Sequence, residues 1–277
     1  MARASRENFR VASRLLPGKT REHLLAFYGY ARFVDQVGDG YAGDRPAALD
    51  WIEAETRRAL AGSGATGGHP LITRAAASVA ALGTDPAPLF ALIAANRQDQ
   101  VVSGYRTQSE LLAYCELSAN PVGRLVLAAF GSSTPERVRW SDAICTGLQL
   151  VEHWQDITED AASGRVYLPA EDLDRFGVAP ADLVAAPPAG PGLRALVAFE
   201  VLRARQLLDE GAPLIRSLDG RLRWAVAGFW AGGHAALDAI AAHRFDPLAG
   251  APRPAPTRVA RRLVTGLGSG TATREAA

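Results

Sequence analysis

The stretches that decide this fold are residues 24–39, LLAFYGYARFVDQVGD, and residues 149–160, QLVEHWQDITED. Each is an apolar, helix-forming segment that ends in two aspartates four residues apart. These aspartates are Asp35 and Asp39 in the first stretch and Asp156 and Asp160 in the second. Because residues i and i+4 lie on one face of an α-helix, each pair presents two carboxylates side by side.

Two carboxylates at this spacing repel each other, and a bound divalent cation would relieve the repulsion. The acidic residues lie among apolar neighbours such as Phe33, Val34 and Trp154, which indicates that they face an enclosed cavity. A single pair of this kind is commonly a solvated helix face. Two pairs about 120 residues apart, each at the end of an apolar helix, favour a shared metal site.

The residue types point to a metal that binds phosphate. Carboxylate oxygens favour Mg²⁺ or Mn²⁺ over zinc, and Mg²⁺ completes its shell with water and substrate phosphates. Arg32, Arg106 and Arg165 are candidate phosphate ligands, because a guanidinium binds phosphate oxygens bidentately. Each arginine taken alone is more typical of a surface salt bridge.

A diphosphate held above an apolar pocket suggests ionisation of an allylic or cyclopropylcarbinyl diphosphate. The metal would neutralise the leaving group, and aromatic faces would stabilise the carbocation by cation–π attraction. Aromatic residues at helical spacing are also typical of an ordinary core. Those in the relevant helices are Phe27, Tyr28, Tyr105, Tyr114, Trp154 and Trp230.

Composition narrows the class of protein. The 277 residues are 48% hydrophobic with a formal net charge of +1, which is typical of a globular protein and argues against a nucleic-acid partner. Only two cysteines occur, so a disulfide framework is not expected. No signal peptide or run of eighteen or more apolar residues is evident. We expect a cytoplasmic protein, and this composition is compatible with peripheral membrane association.

Periodicity, caps and prolines predict an all-α, single-domain bundle over residues 1–245, with its site in the core. Pro121 is expected to break or kink its helix. The Pro- and Gly-rich residues 246–277 are expected to form a mobile tail. The helices are predicted over residues 8–17, 20–39, 44–60, 71–82, 86–102, 107–115, 134–160, 193–210 and 222–243.

The order and spacing of these motifs resemble the squalene and phytoene synthases, which join prenyl units head to head. The matching motifs are Asn8-Phe9 to Pro17, Tyr28 to Asp39, Tyr114-Cys115 with Val122-Gly123, and Gln149 to Asp160 followed by Arg165 to Pro169. Residues 119–123 and 154–156 are most similar to the bacterial hydroxysqualene synthase branch. The resemblance implies a helical bundle of the isoprenoid (terpenoid) synthase type with a central cavity.

This resemblance also implies an activity, namely conversion of presqualene diphosphate and water to hydroxysqualene and diphosphate on the route to squalene and hopanoids. It implies functional coupling to a presqualene diphosphate synthase and a hydroxysqualene reductase. Mg²⁺ would be held by Asp35, Asp39, Asp156 and Asp160, with Tyr114 and Gln149 near the reacting centre. The substrate-binding residues would be Tyr28, Arg32, Arg106, Asn120, Arg165 and Tyr167. No glycine-rich dinucleotide loop follows a strand, so NADPH is not expected.

Two positions depart from the family pattern, which commonly has Asn at Glu152 and Arg at Gln155. The loss of a cation at Gln155 fits an enzyme that handles one diphosphate rather than two. We hypothesise that Glu152 or His153 acts as the general base for water. One alternative is a squalene or phytoene synthase that joins two farnesyl or geranylgeranyl diphosphates. Another is a non-catalytic relative that acts as a binding or assembly protein, against which the paired aspartates argue.

Overall fold

The computed structural model describes residues 18–62 and 68–268. Within these ranges the protein is all-α, as predicted, and its only β-pairing is an isolated parallel bridge between Gly104 and Val166. The helix expected over residues 8–17 lies outside the described residues. The α-helices are α1 (Gly18–Gly40), α2 (Arg45–Leu60), α3 (Pro70–Leu82), α4 (Ala87–Gln98), α5 (Gln108–Ser118), α6 (Asn120–Ala129), α7 (Pro135–Gln155), α8 (Ile157–Ala162), α9 (Ala170–Phe176), α10 (Pro191–Gly211), α11 (Pro213–Ser217), α12 (Gly220–Ala242) and α13 (Pro256–Gly268).

The helices group into two compact units. The first comprises residues 1–101 and 121–134, and its described part contains α1 to α4 and most of α6. The buried positions of α1 recur every three or four residues, so one face of this helix enters the core of the unit. The large side chains on this buried face are Leu24, Phe27, Tyr30 and Val34.

The second unit comprises residues 102–120 and 135–277 and contains α5 and α7 to α13. Glycines bring α7 and α10 close together. A Cβ on Gly147 would lie 2.9 Å from Leu208 Cδ2, and one on Gly211 would lie 2.7 Å from the carbonyl oxygen of Trp140. This close packing fixes the orientation of α7, which carries the second acidic stretch.

Local sequence signals explain where α5 begins and ends. The Thr107 hydroxyl accepts a hydrogen bond from the Glu110 amide at 3.2 Å, which is the expected helix cap. The helix ends at Ser118, and α6 begins at Asn120, directly before Pro121. The expected break at Pro121 is therefore confirmed.

The structure differs from the sequence expectation at Asp156. The helix predicted over residues 134–160 is interrupted there, with φ −106° and ψ 13°, and is divided into α7 and α8.

None of the described helices combines the length and the apolar character needed to cross a membrane.

The expected tail also needs correction, because residues 247–249 form a 3-10 helix and residues 256–268 form α13. The carboxylate of Asp238 on α12 accepts hydrogen bonds from Arg262 Nη2 at 2.8 Å and Arg262 Nε at 3.0 Å. Arg258 adds a bond from Nη1 to the Asp238 carbonyl oxygen at 3.0 Å. These contacts fix α13 against α12. The boundary at residue 245 stays a prediction.

Candidate active site

The first acidic pair lies at the end of α1. Asp35 and Asp39 are both partly exposed, and Arg32 Nη1 lies 3.3 Å from Asp35 Oδ2. Burial and the charge of Asp39 raise the pKa of the Asp35 carboxyl, whereas Arg32 opposes this change. Tyr28, one turn before Arg32, is also partly exposed. The first unit therefore places Arg32 beside Asp35, and Asp39 lies one turn further along α1.

Two polar residues that the sequence analysis missed hold this end of α1. Gln100 Nε2 donates a hydrogen bond to the Gly38 carbonyl oxygen at 3.0 Å. Gly38 also faces Asn96 so closely that an added Cβ would lie 2.0 Å from Asn96 Oδ1. The amide side chains near the end of α4 thus fix the backbone beside Asp39. Their spacing of four residues is the only signal that the sequence carries for this contact.

The second acidic pair spans the break between α7 and α8. The Asp156 amide donates to the Glu152 carbonyl oxygen at 3.1 Å, and the Asp160 amide donates to the Asp156 carbonyl oxygen at 2.8 Å. These bonds keep Glu152, Asp156 and Asp160 one helical turn apart despite the break. The carboxylates therefore stay adjacent, as the sequence spacing predicts.

The negative charge at Asp160 is poorly stabilised. Burial and the neighbouring Asp156 carboxylate raise the pKa of Asp160 to about 7, and the Arg165 charge opposes this increase. Glu159 and Glu152 add smaller repulsions. A cation bound beside this pair would relieve the repulsion.

A group of buried rings lies next to this acidic pair in the second unit. The ring of His153 stacks on Tyr167 with a centroid distance of 3.7 Å and an interplanar angle of 13°. Tyr114 lies 6.2 Å from Tyr167 and 5.5 Å from Tyr105, measured between ring centroids. We call Tyr105, Tyr114, His153 and Tyr167 the aromatic cluster. It brings together two predicted catalytic residues, Tyr114 and His153, and the predicted substrate residue Tyr167.

Backbone pairing holds the tyrosines of this cluster. The Val166 amide donates to the Ser103 carbonyl oxygen at 2.8 Å, and the Ala170 amide donates to the Tyr105 carbonyl oxygen at 2.9 Å. These bonds join the residues before α5 to the residues before α9. The local sequence pattern of residues 164–169 carries no signal for this pairing.

Gln149 and His153 form a polar pair at the edge of the aromatic cluster. Gln149 Nε2 lies 3.2 Å from His153 Nε2. The two side chains are within hydrogen-bond distance, and the His153 tautomer decides which of them donates. Burial lowers the pKa of His153 to about 3, so the ring is neutral at pH 7. His153 is therefore a weak proton acceptor in this arrangement.

A small cavity of about 10 Å³ lies between the aromatic cluster and the acidic pair. Its polar lining comes from His153, Asp160 and Tyr167. The volume has room for at most one water molecule. The remaining lining residues are Ile157, Val166, Leu168 and Leu183.

Two predicted substrate residues have other partners. The Arg106 side chain is 83% exposed and binds Glu110, with Nη2 at 3.0 Å from Oε1. The Asn120 side chain is buried, and its Oδ1 accepts a hydrogen bond from Thr146 Oγ1 at 2.9 Å. In this structure both side chains therefore stabilise local packing, and a substrate role for either stays a prediction.

The two acidic pairs are the candidate metal ligands of this site. Within residues 18–62 and 68–268, no three Asp, Glu, His or Cys side chains are grouped so that they could hold an ion by themselves. Two carboxylates nevertheless suit Mg²⁺, which is commonly bound by one or two carboxylates and completes its shell with phosphate oxygens and water. The donor set of each pair fits that metal.

Comparison with known proteins gives the family. The squalene/phytoene synthase family model matches residues 2–263. A hydroxysqualene synthase of Rhodopseudomonas palustris is 35% identical over 75% of this chain and 70% of its own length. A phytoene synthase of Arthrospira platensis is 31% identical over 79% of this chain and 75% of its own length.

A solved structure supports the same assignment. The squalene synthase HpnC from Alicyclobacillus acidocaldarius is 43% identical, and its structure matches with a TM-score of 0.81 over 87% of this chain and 90% of that one. The agreement extends to the helical architecture, so the fold is of the isoprenoid synthase type. The chain belongs to the squalene/phytoene synthase family.

Proposed function

We propose that this family member converts presqualene diphosphate and water to hydroxysqualene and diphosphate. The family consists of enzymes that act on prenyl diphosphates. The observation that carries the proposal is the Gln149–His153 pair, which adds a polar pair to a buried aromatic wall and could orient a water molecule there. Similarity to the hydroxysqualene synthase of R. palustris supports the same reaction.

We assign the acidic pairs to metal binding. Asp35 with Asp39, and Asp156 with Asp160, would hold Mg²⁺ through their carboxylate oxygens. When bound, the metal supplies charge neutralisation for the diphosphate leaving group. Arg32 and Arg165 would add direct contacts to phosphate oxygens. Each lies near enough to a proposed metal-binding aspartate for its charge to lower the pKa of that carboxyl.

The aromatic cluster would stabilise the positive charge that forms on carbon. The bond from carbon to the diphosphate oxygen breaks, and its electron pair leaves with diphosphate. The rings of Tyr105, Tyr114 and Tyr167 would then present their faces to the carbocation. The water oxygen forms the new bond to carbon, and one proton of that water must be removed.

Glu152 is the residue that we assign to accept this proton. It lies one turn before Asp156 and one turn after Gln149 and Leu148 on α7. His153 is less suitable, because the ring is buried and burial holds its pKa at about 3. We therefore assign Gln149 and His153 to orienting the water.

Product analysis tests the reaction directly. Purified protein would be incubated with Mg²⁺, without a nicotinamide cofactor, and with either presqualene diphosphate or farnesyl diphosphate. We expect gas chromatography and mass spectrometry to detect hydroxysqualene from presqualene diphosphate only. Formation of presqualene diphosphate from farnesyl diphosphate would contradict the proposal.

Substitution of Glu152 tests the assigned base. We expect Glu152→Gln to lower kcat for water capture by about 10²- to 10⁴-fold, the usual contribution of a general base. Glu159→Gln is the matched control, because Glu159 is an exposed acid in the same acidic stretch. Equal activity of the two variants would remove Glu152 from the mechanism.

The second candidate is a head-to-head synthase. It is favoured by the 31% identity to the A. platensis phytoene synthase. Under this alternative the protein would form phytoene from geranylgeranyl diphosphate, or squalene or its precursor from farnesyl diphosphate. The same assay with these substrates distinguishes the two candidates.

A non-catalytic relative would give no product from any of these substrates. A thermal melt with Mg²⁺ and inorganic diphosphate would then test the metal assignment by itself. Ligands that bind only the native state raise Tm. An increase that disappears in Asp156→Asn and persists in Glu159→Gln would support the assigned metal ligands.

A further inference from the structure

A short segment after α12 lies across the helix break that carries the second acidic pair. Thr158 Oγ1 on α8 donates to the Pro247 carbonyl oxygen at 3.1 Å, and Gln155 Nε2 at the end of α7 donates to the Pro252 carbonyl oxygen at 3.1 Å. Both prolines are themselves buried. We call residues 246–252 the strap. Its two attachments lie on either side of the break between α7 and α8.

The backbone that leads into the strap has an unfavourable conformation. Arg244 and Phe245 both have a φ of 56°, in the left-handed region that favours glycine. Residues other than glycine hold such angles only where the surrounding structure fixes them. This corner therefore does not follow from the preference of its own residues, and contacts from elsewhere in the second unit must hold it.

Arg194 on α10 supplies those contacts. Its Nη1 donates to the Arg244 carbonyl oxygen at 3.2 Å, its Nη2 to Asp246 Oδ2 at 2.6 Å, and its Nε to the Ala189 carbonyl oxygen at 2.9 Å. The buried Asp246 carboxylate also accepts from the Ala189 amide at 3.2 Å and the Leu248 amide at 3.1 Å. One guanidinium and one carboxylate thus join the corner, the strap and the residues before α10.

The strap in turn restrains the backbone of a proposed metal ligand. Asp156 lies at the helix break, where the dihedral angles are not helical, so regular helix geometry does not by itself set the angle between its carboxylate and that of Asp160. The strap is bonded to the residue directly before Asp156 and to the residue two positions after it. It therefore adds a restraint at the point where the helix is interrupted.

We propose that Arg194 and Asp246 are positioning residues for metal binding. They hold the strap against the end of α7 and the start of α8, and the strap keeps Asp156 and Asp160 in the arrangement that binds Mg²⁺ with diphosphate. The inference rests on the metal assignment of the proposed function, but it does not depend on which prenyl diphosphate the active site accepts. A merely structural role for Arg194 would lower stability and leave metal affinity unchanged.

Calorimetric titration of inorganic diphosphate into the full chain, at a fixed excess of Mg²⁺, measures this affinity without a prenyl substrate. We expect Arg194→Ala to raise Kd about tenfold, the lower end of the loss that is typical for groups that orient metal ligands. Arg205→Ala is the matched control, because Arg205 is also a partly buried arginine of α10 and binds Asp238 on α12 instead. The control should leave Kd unchanged.

Thr158→Val tests the other end of the strap and leaves the Arg194–Asp246 pair intact. Valine has the shape of threonine but no hydroxyl to donate to Pro247. We expect a similar increase in Kd, and Thr158→Ser, which keeps the hydroxyl, should restore binding. The double variant Arg194→Ala/Thr158→Val should bind no more weakly than the weaker single variant, because effects that pass through one element do not add. Thr158→Val also carries the test if Arg194→Ala does not fold.

Amide hydrogen exchange gives a second readout in the metal-free protein. We expect Arg194→Ala to speed exchange of the Asp160 amide and of the strap, since both open more often when the strap is released. The middle of α12 should exchange as in the wild type. Arg205→Ala should leave the Asp160 amide as protected as it is in the wild type.

Three results would overturn the proposal. They are an unchanged Kd in Arg194→Ala and Thr158→Val, additive effects in the double variant, and an equal increase in Kd in Arg205→Ala. Diphosphate binding that needs no Mg²⁺, or that persists in Asp156→Asn, would contradict the metal assignment and this proposal with it. Absence of hydroxysqualene while the expected Kd changes are present would contradict the proposed reaction and leave the positioning role supported.

Discussion

Replacing Glu200 by glutamine should remove a strong pH dependence of stability. Glu200 on α10 is fully buried, and its Oε1 accepts a hydrogen bond from Arg203 Nη1 at 2.9 Å. Its Oε2 has no hydrogen-bond partner among the described residues. The Asp172 carboxylate on α9 is also buried, and it too accepts from Arg203. Loss of water raises the pKa of Glu200 to about 8, with Asp172 adding repulsion that Arg203 opposes.

The direction of this pH dependence follows from the difference in the pKa of Glu200 between the folded and the unfolded states. Unfolded Glu200 titrates near 4.5, whereas the folded side chain keeps its proton to about pH 8. The stabilising contribution of this proton is therefore complete below pH 4.5 and is lost as the pH rises to about 8. Each pH unit corresponds to about 1.4 kcal/mol, so the loss between pH 5 and pH 8 is at most ~4 kcal/mol.

Glutamine has the shape of the protonated acid and does not titrate. Its carbonyl oxygen can accept from Arg203, and its amide can donate toward Asp172. We expect the free energy of unfolding of Glu200→Gln, relative to the wild type, to increase by about 1 kcal/mol per pH unit between pH 5 and pH 8.

The assay is urea denaturation at each pH unit in this range. Glu210→Gln is the matched control, because Glu210 is exposed near the end of the same helix. A difference between Glu200→Gln and the wild type that stays constant with pH would refute the reasoning. A difference that decreases with pH would refute it equally.

Further substitutions test the packing that supports the two units. Gly147→Ala should destabilise the protein by about 1–3 kcal/mol by overpacking α7 against α10, whereas Gly232→Ala, whose Cβ meets nothing within 4 Å, should be neutral or stabilising in the same denaturation assay. Tyr30→Phe should lower the free energy of unfolding by about 1 kcal/mol, because the buried hydroxyl bonds Thr56 Oγ1 at 3.1 Å. Asp238→Asn should loosen α13, since the Asp238 carboxylate accepts hydrogen bonds from arginines on α10 and α13. The readout is amide exchange relative to the wild type, which should become faster in α13 and stay unchanged in α7.

The sequence predicted the features that depend on neighbours along the chain. The caps and periodicity predicted most helices to within a few residues. The i, i+4 spacing predicted that Asp156 and Asp160 are adjacent, and this holds because the backbone hydrogen bonds at this spacing persist through the helix break. Thr107 and Pro121 marked helix ends through local chemistry alone.

Features that depend on distant contacts were not predictable in this way. The helix α13 begins at Pro256, a favourable first helical position, but the surrounding prolines and glycines obscured it. Its stability comes from Asp238 on α12, about 20 residues earlier in the chain. The partner of Asn120 was missed for the same reason, because no periodicity indicates which polar atom on another helix a side chain will meet. Arg106, by contrast, binds Glu110 four residues later, which is a local contact.

The structure also gives Gln155 a role that its sequence position did not suggest. At the sequence level the family resemblance suggested only that a cation was missing at this position. In the folded protein Gln155 Nε2 donates to the Pro252 carbonyl oxygen at 3.1 Å, and Thr158 Oγ1 donates to the Pro247 carbonyl oxygen at 3.1 Å. The two bonds attach the segment after α12 on both sides of Asp156. The neutral amide therefore holds the backbone around a proposed metal ligand, and the segment that it binds leads directly into α13.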